Sequence, residues 1–290
     1  MTISKKSFKY VMLLATVIIV AFGCKKLARP ELPGDYPQDK PVTPTTSLRF
    51  YLNFDSTSPD ASQLNIRFAD SISGYPSFFP NSATTYAPGV RGTAYQGSLG
   101  TFLHYYNAND FGSATSFTVS FWLNVTLAQK DNVNADGILA LSSTSNFWSN
   151  MVVYADHSTG GNSDSMDLKF HFANGSGDNW DFAGYTGSAR WPHMYDGKWH
   201  HVAFVYDATT KTATLYRDGV QFDKKTNETI AFDGKASQFV VGGFQEAVNI
   251  VDTYAKNSWM SGFPGLLDNI GLYNAALSAA DVAALFTNKQ

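Results

Sequence analysis

Residues 198–222 read KWHHVAFVYDATTKTATLYRDGVQF. Trp199, His201, Ala203 and Val205 fall on one side of an extended chain, and His200, Val202, Phe204 and Tyr206 on the other. A period of two in β-branched and aromatic residues is the signal of a strand. Asp207-Ala208-Thr209-Thr210-Lys211 supplies turn chemistry, because Asp and Thr side chains bond their own backbone just downstream. The chain returns through Ala213, Leu215 and Tyr216 to Asp218-Gly219, a dipeptide suited to the positive φ angles of a tight hairpin. A strand this apolar on both sides needs cover on both sides, which predicts a mid-sheet position in a layered β protein.

The rest of the chain repeats this grammar. Leu48, Phe50, Leu52 and Phe54 alternate with Arg49, Tyr51 and Asn53 as a half-buried first strand. In residues 116–125, Phe117, Val119, Phe121, Leu123 and Val125 form one face, and Ser116, Thr118, Ser120, Trp122 and Asn124 the other. The first face belongs in a core. Shorter strands fit residues 137–141, 151–154, 166–172 and 238–243, separated by turn-rich segments at 142–150, 157–165 and 173–181. Many short strands with almost no helical period predict an all-β sandwich. The one helix expected lies at the end, where Ser278-Ala279-Ala280-Asp281 reads as a capping box ahead of residues 282–286.

Composition narrows the function classes. Charged residues are only 16% of the 290, the net charge is −3, and the first 24 residues hold Lys5, Lys6 and Lys9 without an acid. The remainder of the chain is more acidic still, which argues against a nucleic-acid partner. Cys24 is the single cysteine, so neither a disulfide framework nor a thiolate metal cluster is available.

The three lysines precede an apolar run over residues 10–22. That run is shorter than the roughly 20 residues of a membrane span and ends in small residues, as a signal peptide does. Ala21-Phe22-Gly23-Cys24 resembles a bacterial lipobox, with Cys24 as the lipid-bearing residue; the alternative is an ordinary secreted protein with a free cysteine near its start. Residues 24–46 carry Pro30, Pro33, Pro37, Pro41 and Pro44, a composition that favours an extended stalk. The expected organisation is a signal peptide at 1–23, a linker at 24–46 and one domain at 47–290.

Three stretches in order resemble one family. The segment WHHVAFVYD…LYRDG is similar to the central signature of LamG-like jelly-roll domains, in the concanavalin A-like lectin/glucanase superfamily. Ahead of it come a first strand ending at Asp55, the turn Asp70-Ser71-Ile72-Ser73-Gly74, one residue longer than the family's D-S-x-G, and G-x-x-G-x-A at Gly89 to Ala94. Behind it, FPGLLDNIGLYNAALS from Phe263 to Ser278 resembles the closing motif F-x-G-x-(I/L)-D-(D/N)-x-x-x-Y-N-x-x-L-S. The resemblance implies an antiparallel two-sheet jelly roll with a short C-terminal helix, and it makes Trp122, in FTVSFW, a structural residue. It also implies a structural calcium ion near the paired terminal strands, with Asp55, Asp268 and Asp70 as ligands; the alternative is that these residues cap turns or face solvent.

Catalysis finds little support in the acids. Glycosidic hydrolysis generally needs two carboxyl groups about 5–9 Å apart, which superfamily hydrolases present as E-x-D-x-x-E. The chain has only Glu31, Glu228 and Glu246, none with a partner at that spacing. The pairs Asp164/Asp167 and Asp178/Asp181 read more simply as turn residues. His200 and His201 point to opposite faces of one strand and cannot chelate together. Aromatic residues in turn-like company are the natural sugar platforms. Trp180, Tyr185 and Trp191 fall in one such stretch, and Trp148 and Trp259 in similar surroundings; each ring has the alternative of packing its loop onto the sandwich. Together with the resemblance, this predicts a non-catalytic, carbohydrate-binding lipoprotein of the bacterial cell envelope, at the outer membrane or cell surface, with a glycan or polysaccharide as partner. An adhesion or scaffolding module binding a protein, and a hydrolase or lyase using aspartates, are the alternatives.

Overall fold

A computed structural model of the protein describes residues 46–55, 67–78, 85–131, 133–156, 163–175, 178–179, 190–234, 238–248 and 257–290. The leader, Cys24, nearly all of the stalk, Trp180 and Tyr185 lie outside the described residues. In chain order the strands are β1 (Leu48–Leu52), β2 (Thr85–Pro88), β3 (Thr93–Gln96), β4 (Leu103–Tyr105), β5 (Phe117–Asn124), β6 (Ala135–Leu141), β7 (Met151–Ala155) and β8 (Leu168–Ala173). They continue as β9 (Asp178–Asn179), β10 (His200–Asp207), β11 (Thr212–Arg217), β12 (Val220–Thr226), β13 (Phe239–Val241), β14 (Met260–Gly262) and β15 (Leu266–Tyr273), before helix α1 (Ala279–Asn288).

Two sheets form a jelly-roll sandwich. The larger runs β12-β11-β10-β5-β15-β3-β2, with β1 paired to β15; the smaller runs β4-β13-β6-β7-β8-β9, with β14 on β6. Every pairing is antiparallel except that of β14 with β6. Pairing of Phe50 with Leu272 and Leu52 with Ile270 ties the start of the domain to its end.

The hairpin within residues 198–222 lies mid-sheet, β10 between β5 and β11. Its first turn is held by Asp207, whose carboxylate accepts from the Thr209 amide at 2.9 Å and the Thr210 hydroxyl at 2.9 Å. At the second turn Asp218 and Gly219 have φ of 51° and 76°, the pair of positive values a tight hairpin needs. Val202, Phe204 and Tyr206 enter the core between the sheets, where Phe204 meets Phe172 at 4.2 Å. His201 faces the other way, as do Ala203 and Val205, which pack with Tyr216 and Val282 of α1. The helix therefore supplies the second cover that the strand's apolar faces require. Ser278 and Asp281 cap it reciprocally. Trp122 is sealed beneath it, stacked on Phe286 at 5.5 Å and donating to the Gln290 carbonyl at 3.1 Å, a structural role.

Candidate functional site

Residues on the outer face of the smaller sheet depart from a solvated pattern. Val152 and Tyr154 of β7, Ala140 of β6 and Val240 of β13 point away from the core, yet join a second apolar cluster with Phe244 and Met260. Phe102, Phe147, Trp148 and Trp259 are half-buried around it. Trp148 stacks on Tyr154 at 6.2 Å and 13°, and meets Trp259 at 5.6 Å; Phe244 meets Tyr154 at 5.6 Å and Trp259 at 5.9 Å. The four rings make one continuous patch. Beside it lies an open recess of ≈ 230 Å³ lined by Asn134, Trp148, Tyr154, Asp156 and Trp259 among others. Lys169 of β8 reaches Asp156 as an ion pair, with Asp167 at 4.0 Å.

Trp148 is positioned from two sides. The Gln245 amide accepts from the Ser143 amide at 2.8 Å and donates to the carbonyls of Asn146 and Phe147 at 2.7 and 2.9 Å. Asn146 in turn accepts from the Trp148 amide at 2.8 Å, an Asx turn. Asp233 accepts from Ser145 at 2.7 Å and from Asn150 at 2.8 Å, and its amide donates back to Asn150 at 2.7 Å. Gln245, Asp233 and Asn150 hold the Trp148 loop, which the sequence marks only as a turn-rich segment at 142–150.

Trp191 is placed differently from the sequence expectation. It is fully buried, stacked on Phe222 at 4.4 Å, and its backbone bridges that of Met166. A ring covered on its face offers no platform to a sugar, so Trp191 packs the core.

The acids fall into separate settings. Asp55 and Asp268 grip the same turn: Asp55 accepts from the Thr93 amide at 2.8 Å, and Asp268 from the Val90 amide at 2.9 Å and the Asn269 amide at 2.8 Å. The glycines of G-x-x-G make room for them. A Cβ on Gly89 would stand 2.4 Å from the Asp268 carboxylate, and one on Gly92 would stand 1.9 Å from that of Asp55. Only Gly92 also needs its positive φ, 61°. Burial, to which the Asp55 charge adds, pushes the Asp268 carboxyl up to about 7. Two hard oxygen donors at one turn of backbone are chemistry that fits calcium. Asp70 does not join them. It is buried and saturated by the amides of Tyr51, Ile72 and Ser73, the Ser73 hydroxyl and the Asn109 amide. Among the described residues no group of three or more His, Cys, Asp or Glu is arranged to hold a metal.

The remaining candidates for chemistry disperse. Asp164 pairs with exposed His193 at 2.6 Å while Asp167 turns to Lys169. His200 lies between Asp196 and Asp218 at 3.2 and 3.1 Å. His201 meets Ser120 at 2.8 Å, but both are buried below Trp122 and Phe286, where burial pulls the His201 imidazole down to about 4. A serine and histidine sealed in this way meet no substrate. Glu246 is the one acid beside the aromatic patch that sequence reasoning had set aside. It is 2% exposed, and burial pushes its carboxyl up to about 7.

The fold is a two-sheet jelly-roll sandwich, and its family follows from the sequence. The family model Laminin_G_3, of the concanavalin A-like lectin/glucanases superfamily, matches residues 100–283, and the chain belongs to that family. No match was found among curated protein sequences. Among solved structures the chain is similar to domain 4 of AbnA, a GH43 extracellular arabinanase from Geobacillus stearothermophilus, in complex with arabinotriose. That match has 18% identity and a TM-score of 0.53, and covers 82% of this chain and 97% of that one. The binding domain of Paraclostridial Mosquitocidal Protein 1 aligns at 15% identity and TM-score 0.54, covering 83% of this chain and 52% of that one. The binding domain of botulinum neurotoxin DC, in complex with rat synaptotagmin II, aligns at 13% and 0.52, with coverages of 84% and 52%. At these identities the likeness is one of fold, and this chain spans about half of each toxin chain.

Proposed function

We propose that the protein is a non-catalytic glycan-binding module whose ligand lies across the Trp148–Tyr154–Trp259 face. The observation that carries this reading is the ring patch itself. A sheet face turned away from the core normally carries polar residues, whereas this one holds four contiguous rings beside an open recess, with Trp148 and Trp259 partly exposed over buried Tyr154 and Phe244. Apolar ring faces stack on the C–H faces of sugars, and the flanking Asn134 and Asp156 supply bonds to hydroxyls. An open recess of ≈ 230 Å³ falls below the roughly 300–1,000 Å³ of enclosed small-molecule pockets, which suits a chain lying along a surface. The AbnA domain, with its arabinotriose, is consistent with such use of the fold. The test is retention of the chain on a panel of soluble polysaccharides in affinity electrophoresis. Trp148→Ala is expected to weaken retention by about tenfold or more, an aromatic stacking contact plus lost area, with Trp148→Phe retaining most of it. Retention unchanged in Trp148→Ala removes this face from the site.

Two further readings belong to the same proposal. Cys24 carries lipid and the proline-rich stalk lifts the domain off the membrane, so Cys24→Ser is expected to move the protein from the membrane to the soluble fraction. Asp55 and Asp268 would hold a calcium ion, which would stabilise the domain by binding the folded state alone.

A further inference from the structure

Glu246 lies in the short 3-10 turn over Gln245–Val248, next to the residue that fixes the Trp148 loop. Apart from its own backbone amide no group bonds either carboxylate oxygen, and the side chain is almost wholly buried. It lines a cavity walled by Phe102, Phe244 and Met260, with Thr101 and Ser261 among the other lining residues. Those two hydroxyls are already engaged: Thr101 with the Ser98 amide at 2.9 Å and Tyr95 at 3.1 Å, and Ser261 with Asp136 at 2.7 Å. The cavity therefore presents one unanswered acceptor. A buried carboxyl group without a donor costs more than a bonded one. Its ≈ 20 Å³ of space for the centre of a water-sized group holds about one such group, since one needs roughly 10–15 Å³.

Phe244 belongs to both this cavity and the aromatic face: it lines the cavity and also packs against Tyr154 and Trp259. Resting on the glycan reading, we propose that the cavity is its specificity pocket and receives the exocyclic hydroxymethyl group of a hexose residue, with Glu246 accepting its hydroxyl. A methylene-borne hydroxyl is one water-sized donor on an apolar stem, which matches the apolar walls and the single acceptor. Xylose lacks that arm. A hexuronic acid bears a carboxylate at the same place and meets Glu246 as a like charge.

At pH 8, where the Glu246 carboxyl is ionised, the experiment compares the full chain with Glu246→Leu and Glu246→Gln in affinity electrophoresis on glucan, galactan, mannan, xylan and polygalacturonate, with thermal unfolding as the check on folding. At least one hexose polymer is expected to be retained about tenfold more strongly than xylan, the value of one hydrogen bond to a charged acceptor. Glu246→Leu brings that polymer down to the level of xylan, and Glu246→Gln, which keeps the volume, removes the exclusion of polygalacturonate. Hexose-polymer retention unchanged in Glu246→Leu overturns the pocket, as does equal retention of xylan or polygalacturonate by the unaltered chain; both leave the glycan reading standing. Retention of none of the five polymers overturns that reading and the pocket with it.

Discussion

Trp148 and Trp191 have the same ring and similar polar neighbours in sequence, but the fold separates their roles. The Trp148 ring is half-buried on the outer face of the smaller sheet, held by its Asn146 turn, while that of Trp191 is sealed against Phe222. The two substitutions therefore differ in kind. Trp191→Ala opens a large core cavity and is expected to cost about 3–5 kcal/mol of stability, read as a lower denaturant midpoint. Trp148→Ala removes a partly exposed ring and is expected to cost clearly less while abolishing most polysaccharide retention. Equal losses of stability in the two variants contradict this division. The sequence around Trp191, with its Arg, Pro and His neighbours, looks like loop; what it does not encode locally is the bridge to Met166 that turns the ring inward. Gly89 and Gly92 show the opposite case, legible as a motif and explained only by the carboxylates of Asp55 and Asp268 that lie where a Cβ would stand.

The strands were legible because alternation is a local property. In β5 Phe117, Val119, Phe121 and Leu123, and in β10 Val202, Phe204 and Tyr206, reach the inter-sheet core as their alternation requires, while His200 of the same parity turns to Asp196 and Asp218 at the strand's start. The C-terminal capping box was legible for the same reason, since its two partners are three residues apart. Ser278→Ala removes the hydroxyl that accepts from the Asp281 amide and is expected to lower stability by about 1 kcal/mol. Because α1 covers Trp122 and Val282 packs under Tyr216, the loss is expected to appear first as faster exchange of amides in β5 and β10 beneath the helix. Loss of protection confined to the helix ends argues against that coupling. The aromatic face was not legible, because it is assembled from β7, the loop before it, the turn after β13 and the residue before β14. Trp148 and Trp259 are brought to 5.6 Å by sheet order alone, and Gln245 reaches the Trp148 loop from across the sheet. Nothing in either segment names its partner.

At the scale of the whole molecule, β1 against β15 closes the chain ends, and Asp268 is buried at that closure. Five buried groups bear on how stability varies with pH: His104, lowered by burial, and His200, raised against burial by Asp218 and Asp196, act in opposite senses, and the three largest of these shifts set the balance. Asp268 and Glu246 are both raised to about 7, so in the absence of a cation the stability they contribute is full below the ordinary carboxylate range and is lost as pH rises through 7. His201 is lowered to about 4, so its contribution runs the other way, being lost as pH falls from about 6.5 toward 4. Between pH 8 and 5 the folded chain takes up two protons on the acids, while the unfolded chain takes up one on the histidine. The net result is a domain that gains stability on mild acidification. At about 1.4 kcal/mol for each pH unit between its ordinary value and 7, Glu246 is worth up to roughly 3 kcal/mol and Asp268 up to roughly 4 kcal/mol. If Asp55 and Asp268 hold the proposed calcium ion, it reverses the Asp268 contribution by favouring its ionised form, which leaves Glu246 and His201 nearly to cancel. Thermal unfolding in chelator is therefore expected to give a midpoint that rises from pH 8 to pH 5. Added calcium raises the midpoint at pH 8, raises it little at pH 5, and flattens the profile between them. Asp268→Asn, which removes both the titration and the charge that holds the ion, is expected to flatten the chelator profile and abolish the response to calcium. A calcium response that survives in Asp268→Asn, or a midpoint in chelator that falls between pH 8 and 5, contradicts this account of the closure.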